Sequence, residues 1–109
     1  MKIREMISKG EPTVSFEIFP PKSSYALETV FDTLTELKDL HPDFISVTYG
    51  AGGTAQSNTV EIASRIKKDF GIESIAHLTG CTSTKEGMKR TLTSIKDSGI
   101  ENILALRGD

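Results

Sequence analysis

The side chain best placed for acid chemistry is Glu17, which lies inside an apolar segment, residues 15–21 (SFEIFPP). Its alternation predicts a strand with Glu17 on one face and the apolar neighbours on the other. Two prolines end the strand, because proline cannot donate a hydrogen bond to a neighbouring strand. Burial of an acid at the carboxyl end of a strand disfavours its ionised form, which suits a general acid. A solvated sheet edge explains Glu17 equally well.

His77 lies one residue before the end of a later apolar segment, on the same face as Ile75. A lone histidine there is either a core residue with satisfied hydrogen bonds or a functional one. No second histidine or acid lies at metal-ligand spacing, so we predict no metal site. Cys81 is the only cysteine, which excludes a disulfide framework and a cysteine-based zinc site. We expect Cys81 to behave as a small buried hydrophobe.

A glycine-rich segment, residues 50–55 (GAGGTA), matches the dinucleotide-binding pattern G-x-G-x-x-[GA] between a predicted strand and a predicted helix. Two observations disfavour that interpretation. The segment follows the second predicted strand instead of the first. The next strand also ends at residues 77–79 (HLT), without an acid to bind a ribose. The glycines more simply allow a tight turn, near a ligand or not.

Hydrophobic periodicity predicts the elements that position these side chains. A short opening helix lies within residues 1–12, with helical apolar spacing from Lys2 to Ser8. Strands and helices then alternate: strand 13–19, a helix from about 24 to 40, strand 44–49, helix 57–70, strand 74–78, a helix before residue 99, and strand 102–106. Ser83 and Glu86 form a capping box in front of the last helix. Glycines at 71 and 99 are expected to end helices.

This βαβαβαβ pattern predicts a parallel sheet with right-handed crossovers. Two architectures fit: a small doubly wound sheet, and the first half of a (β/α)8 TIM barrel. Strands of a doubly wound sheet are apolar on both faces, because helices cover both. Here one face is apolar and the other is partly polar, which favours the half-barrel. The apolar face carries Val14, Phe16, Ile18, Ile45 and Val47, and the other carries Ser15, Glu17, Ser46, Thr48 and His77.

The candidate side chains converge on one end of the predicted sheet. In a barrel the carboxyl ends of the strands meet at one mouth. Residues from four strands fall there: Glu17, Thr48, Tyr49, His77, Arg107 and Asp109. An exposed charged chain end would by itself explain the last two. A shared site explains all six.

Composition and charge exclude other classes of function. Thirteen basic and fifteen acidic residues give a net charge of −2, which offers no electrostatic basis for nucleic-acid binding. No apolar run is long enough for a membrane-spanning helix, and no apolar stretch after the basic start resembles a secretory signal. We therefore expect a cytoplasmic protein with no membrane partner. The sequence stops at the end of a strand with nothing to cover it, so we also expect a truncated chain.

Four segments resemble the methylenetetrahydrofolate reductase family in order and spacing: residues 15–21 (SFEIFPP), 46–50 (SVTYG), 76–79 (AHLT) and 104–109 (LALRGD). The resemblance covers the chain from about Thr13 onward. It implies a (β/α)8 barrel that holds FAD at its carboxyl face, in an oxidoreductase of one-carbon metabolism and methionine biosynthesis. It also implies reduction of 5,10-methylenetetrahydrofolate to 5-methyltetrahydrofolate with NADH or NADPH.

The resemblance also implies roles for single residues. Glu17 matches the family's general acid, and Asp109 matches an aspartate near flavin and pterin whose charge favours a cation. Positions that line the flavin are matched by Thr48, Tyr49, Ala51, His77, Arg107, Gly108 and Asp109.

Length sets this chain apart from a complete barrel. Such a barrel takes about 250 residues, so its second half is absent here and the activity of these residues alone is in question. We expect a homo-oligomer. The alternatives are a non-catalytic half-barrel that assembles with itself or another chain, and a small flavodoxin-like nucleotide-binding domain.

Overall fold

The computed structural model describes residues 1–21, 27–49, 55–81 and 83–108. Helices and strands alternate along the chain: α1 (Ile3–Ile7), β1 (Ser15–Ile18), α2 (Leu27–Leu37), a 3₁₀ turn (Lys38–Leu40), β2 (Phe44–Val47), α3 (Ala55–Phe70), β3 (Glu73–Thr79), α4 (Lys85–Asp97) and β4 (Asn102–Leu106). The strands form one parallel sheet. The predicted βαβαβαβ arrangement is confirmed.

The strand order decides between the two predicted architectures. Within the described residues the order is β1-β2-β3-β4, so each strand lies beside the next one in the chain. A doubly wound sheet reverses direction at a switch point and places later strands on both sides of the first. A barrel adds its strands in sequence. The order therefore supports the half-barrel and contradicts the flavodoxin-like alternative.

Strand and helix ends differ from the prediction by a few residues. β1 and β2 are each four residues long, although the pairing continues because the Thr48 N–H donates to the Ile18 carbonyl over 3.0 Å. The predicted start of α2 near residue 24 lies outside the described residues. The predicted cap of α4 is one residue off, since Thr84 is the N-cap and its Oγ1 accepts from the Gly87 N–H at 3.0 Å. α3 and α4 end just before the predicted glycines.

The core lies between the sheet and its helices. β1 and β2 place Ile18, Ile45 and Val47 on this side, opposite to the face of Glu17. The helical side chains buried against them include Phe31, Leu34, Ile62, Ala63, Ile66 and Ile95. A fully buried aliphatic side chain contributes about 1.5–3 kcal/mol. These buried side chains attach the helices to the sheet.

The other side of the sheet, here called the inner face, carries Glu17 on β1, Ser46 on β2, His77 on β3 and Leu104 on β4. β1 and β4 are the two edges of the sheet. On β4, apolar side chains of both faces are exposed: Ile103 by 41% and Leu104 by 44%. The burial of the inner face therefore declines from the central strands toward the edges.

The opening helix α1 lies at the amino end of the sheet. Ile3 is buried, and its N–H donates to Oδ1 of Asn102 at the start of β4, over 2.9 Å. The Met1 carbonyl accepts from the amide of the same Asn102, over 3.1 Å. This attachment leaves the carboxyl end of the sheet, where the candidate residues lie, on the opposite side of the molecule. In the part of the chain that is described, no helix is both long and apolar enough to cross a membrane.

Candidate functional site

Three inner-face side chains from three strands meet near the carboxyl end of the sheet. The register places Glu17 opposite Ser46, and the Ser46 hydroxyl donates to Oε1 of Glu17 over 3.1 Å. Nε2 of His77 lies 3.4 Å from the same Oε1. An acid, a hydroxyl and an imidazole that are up to 60 residues apart in sequence thus form one cluster. We call Glu17, Ser46 and His77 the acid cluster.

Glu17 and His77 differ sharply in exposure. The Glu17 side chain is 48% exposed, whereas that of His77 is 10% exposed. The sequence left two interpretations of Glu17 open, a buried acid and a residue of a solvated sheet edge, and this exposure disfavours the first for this chain. The physical reason is its position on an edge strand, where no described residue covers the inner face beyond it. The alternative reading of Glu17 as a residue of a solvated sheet edge describes this arrangement.

Nε2 of His77 is a buried polar atom that makes no hydrogen bond with the described residues. Its approach to Glu17 meets the distance for an ion pair, but the arrangement is not a hydrogen bond. A buried nitrogen without a hydrogen bond costs free energy, so such atoms are rare in folded proteins. The core-histidine interpretation, which requires satisfied hydrogen bonds, does not describe His77.

Thr48 and Tyr49 follow β2 directly. The Thr48 carbonyl accepts from Oγ1 of Thr59 on α3, over 2.8 Å, which ties the end of β2 to its crossover helix. Tyr49 is half-buried and packs against the hydrophobic core. Both residues are close in sequence to the acid cluster, and their predicted contact with a flavin stays a prediction.

Arg107 and Gly108 extend β4 beside the end of β3. The Cys81 N–H donates to the Arg107 carbonyl over 3.0 Å, and the Arg107 side chain is exposed. Gly108 has a φ of 97°, and a Cβ there would collide with side-chain atoms of Thr79 and Cys81. Only glycine fits this position, for its backbone conformation and for space. Cys81 is exposed, so the expectation of a buried cysteine is wrong: it lies past the last residue of β3, beyond the core.

Two predicted site residues, Ala51 and Asp109, lie outside the described residues, as does the glycine-rich segment 50–54. The structure therefore brings Glu17 and His77 together and places Arg107 and Gly108 at the same end of the sheet. The predictions for Ala51 and Asp109 stay untested. Sequence reasoning missed Ser46 as a site residue. Its signal was the strand alternation, which put Ser46 on the face of Glu17.

A second polar cluster, at the amino end of the sheet, was also missed. The Glu73 carboxylate accepts from the Met1 amino group at 2.6 Å and lies 3.3 Å from Nζ of Lys67. Lys67 also donates to Glu101 over 2.8 Å. We call Met1, Lys67, Glu73, Glu101 and Asn102 the amino-end network. A cavity of about 550 Å³ opens beside it, and no predicted site residue lines that cavity.

Parallel strands alternating with helices, with an acid and an imidazole at the carboxyl ends of the strands, are typical of βα-barrel enzymes. The profile of one such family, methylenetetrahydrofolate reductase, matches residues 2–109. The chain belongs to the methylenetetrahydrofolate reductase family, which confirms the resemblance read from its four motifs.

Relatives from plants and bacteria agree with this assignment. The chain is 39% identical over 108 residues to methylenetetrahydrofolate reductase (NADH) 1 of Arabidopsis thaliana, which covers 99% of this chain and 18% of the relative. It is 40% identical over 101 residues to 5,10-methylenetetrahydrofolate reductase of Pectobacterium carotovorum. That alignment covers 93% of this chain and 34% of the relative. A Buchnera aphidicola enzyme of the same name is 43% identical over 95 residues, which are 87% of this chain and 32% of that relative.

The chain therefore spans about a fifth to a third of the length of these relatives. Its four parallel strands and their helices match the first half of the family's TIM barrel. The predicted fold class is confirmed at this level.

Proposed function

We propose that this chain supplies the acid-bearing part of an active site that reduces 5,10-methylenetetrahydrofolate to 5-methyltetrahydrofolate, with NADH or NADPH as the electron source and FAD as cofactor. The observation that carries the proposal is the acid cluster: the Glu17 carboxylate held by Ser46 beside a buried imidazole, at the carboxyl end of parallel strands. Family membership supplies the reaction class.

Glu17 has the chemistry that this reaction needs. Opening the methylene bridge of the folate breaks a carbon–nitrogen bond, and the departing nitrogen must gain a proton. A carboxylic acid on the inner face can donate it. The exposure of Glu17 leaves the carboxyl group open to a folate. A ligand seated there would also exclude water from the carboxyl group.

The residues present fit a flavin. The buried Nε2 of His77 lacks a hydrogen bond within the described residues, and a flavin offers oxygen and nitrogen atoms that it could contact. We propose that FAD is held by the matched positions, namely Thr48, Tyr49, Ala51, His77, Arg107, Gly108 and Asp109. Bound there, FAD would supply the hydride-transfer chemistry that links the nicotinamide to the folate. The negative charge of Asp109 would favour a cationic folate intermediate.

A chimeric enzyme tests the proposal. The matched 101 residues of the Pectobacterium carotovorum relative are replaced by this chain, and the purified protein is examined for a flavin spectrum and for both half-reactions. We expect retained flavin, reduction by the nicotinamide and oxidation by the folate. A folded chimera that binds flavin but does not turn over the folate would contradict the proposal.

The same chain without a partner is expected to bind FAD weakly or not at all. Ligand sites usually enclose most of their ligand, and the inner face here is open at both edge strands. Gel filtration of the 109-residue protein with added FAD measures this. A protein that elutes with one flavin per chain would show that the inner face is closed by self-association.

A second candidate function, a non-catalytic half-barrel that self-associates, is favoured by the exposed apolar side chains of β4, of which Leu106 is 42% exposed. Unpaired strand edges readily pair with another chain. Sedimentation at micromolar concentration distinguishes the candidates, because a stable dimer supports self-association and a clean monomer argues against it. A cytoplasmic location stays a prediction from composition.

A further inference from the structure

Glu17 is a flexible acid on a rigid support. Its side chain has several rotatable bonds, is about half exposed, and starts from an edge strand. Proton delivery needs one orientation of the carboxyl group, held to within about half an ångström. Something other than packing must therefore orient Glu17.

Ser46 has the position to do so. It lies on β2, which is paired on both sides, opposite Glu17 on β1 and Ile75 on β3. Its chain neighbours Ile45 and Val47 are fully buried, which fixes the backbone of this strand. A serine side chain is short and loses little rotational freedom on making a hydrogen bond. The hydroxyl donates to Oε1 of Glu17 over 3.1 Å.

The two oxygens of Glu17 are thereby made different. Both neighbours, the Ser46 hydroxyl and Nε2 of His77, approach Oε1. In a neutral carboxyl group the carbonyl oxygen accepts a hydrogen bond better than the protonated oxygen does. With the Ser46 hydroxyl donating to Oε1, the proton of the neutral acid is therefore best carried by the other oxygen, Oε2. We infer that Ser46 is a positioning residue: it holds Glu17 so that Oε2 delivers the proton to the folate.

This inference rests on the proposed function, and its test separates the two. In the chimeric enzyme, Ser46→Ala removes the hydroxyl, whereas Ser46→Thr keeps it on a strand that tolerates β-branched residues. Ser15→Ala is the matched control, because Ser15 is exposed on the same face of β1 and two residues from Glu17. We expect Ser46→Ala to slow the folate half-reaction about tenfold or more, with the nicotinamide half-reaction and flavin content unchanged. Ser46→Thr and Ser15→Ala should stay within about threefold of the parent.

A second readout does not depend on activity. The side-chain carboxyl carbon of Glu17 is followed by ¹³C NMR in the 109-residue chain. We expect its signal to move in Ser46→Ala, to return toward the parent position in Ser46→Thr, and to stay in place in Ser15→Ala. If the chimera does not use folate at all, the proposed function fails, and this signal alone then decides whether Ser46 holds Glu17.

Three results would overturn the inference. One is equal slowing of both half-reactions in Ser46→Ala, which indicates general damage to the fold. Another is a Ser46→Thr variant as slow as Ser46→Ala. The third is a Glu17 carboxyl signal that does not respond to loss of the Ser46 hydroxyl.

Discussion

The two ends of β3 carry polar side chains on the same face, yet their surroundings are opposite. At the amino end, the Glu73 side chain is 8% exposed and meets the Met1 amino group, Lys67 and the Asn102 amide. Four residues later, the buried Nε2 of His77 makes no hydrogen bond with the described residues. The carboxylate next to it, that of Glu17, is half exposed. The polar groups at the amino end are paired around a buried carboxylate, whereas those at the carboxyl end are partly exposed or lack a hydrogen bond with the described part of the chain.

This difference separates stability from function. A buried polar group that is fully paired stabilises one structure, whereas one left without a hydrogen bond raises the free energy of the folded chain. In parallel-strand barrels the amino-terminal face generally serves stability and the carboxyl-terminal face carries the chemistry. The amino-end network lies on the face associated with stability, and the acid cluster, whose catalytic role is our proposal, lies at the carboxyl end.

Ionisation at the amino end agrees with a network built for stability. The hydrogen bond to Lys67, with its positive charge, lowers the pKa of Glu101, and the hydrogen bond to Glu73 raises the pKa of the Met1 amino group. Burial acts to lower the pKa of Lys67, but its hydrogen bonds to Glu101 and Glu73 outweigh that effect and the pKa is raised. Each of these groups is held in its charged form.

The largest expected effect comes from Glu17→Gln in the chimeric enzyme. The amide keeps the size of the side chain but carries no acidic proton, so the folate half-reaction should fall by about 10²- to 10⁴-fold. The nicotinamide half-reaction needs no proton from Glu17 and should persist. Stopped-flow absorbance of the flavin measures the two separately. Glu11→Gln, at an exposed position, is the control. Equal loss in both half-reactions would mean that Glu17 shapes the site and another group is the acid.

A smaller effect, on stability, is expected from a substitution at the amino end of the sheet. Glu73→Ala removes the centre of the amino-end network, with its contacts to the Met1 amino group, Lys67 and the Asn102 amide, which should lower the free energy of unfolding by about 1–3 kcal/mol. Glu17→Ala removes a half-exposed carboxylate and should change it by less than about 0.5 kcal/mol. Urea denaturation followed by circular dichroism compares the two variants. If Glu17→Ala were as destabilising as Glu73→Ala, the division between the two ends would be wrong.

The smallest expected effect is the pH dependence of the amino-end network. Because the pKa of Glu101 is lowered from its ordinary 4.5, its contribution is present above that pH and is lost as the pH falls through the lower, folded value. Lys67→Met should therefore lower stability near neutral pH and matter less in acid. Lys68→Met, at the exposed neighbouring position, is the control. Its difference in stability from the parent should not shrink as the pH falls. If the difference in the free energy of unfolding between Lys67→Met and the parent stayed constant with pH, the predicted pH dependence would be wrong.

Periodicity predicted the features of the fold that depend on local pattern. The alternation in residues 15–18 and 44–47 assigned the correct faces to Glu17 and Ser46, and the glycines at 71 and 99 marked the ends of helices. The predicted burial of Cys81 was wrong and the exposure of Glu17 was left open, because burial depends on what covers an edge or a strand end. Local sequence does not contain that information. The predicted N-cap of α4 is wrong by one residue, because Ser83 and Thr84 are both residue types that cap helices well.

The amino-end network could not be read from the sequence for a different reason. Lys67 and Glu101 are 34 residues apart, and Met1 and Glu73 are 72 apart, so no spacing rule connects them. Ser46 is an intermediate case. Its face was predictable, but its contact with Glu17 depends on the register between β1 and β2, which only the structure supplies.

The strand order bears on how the protein is made. Glu17, Ser46 and Ile75 occupy successive strands in paired positions, each 29 residues after the one before. In the described part of the chain, each strand after β1 thus pairs with the strand synthesised just before it, and no later strand is inserted between two earlier ones. Because chains emerge from the ribosome amino end first, the sheet can grow one strand–helix unit at a time during translation. On this route the amino-end network forms only when Glu101 and Asn102 have emerged, which makes it the last step to fasten the start of the chain to the sheet.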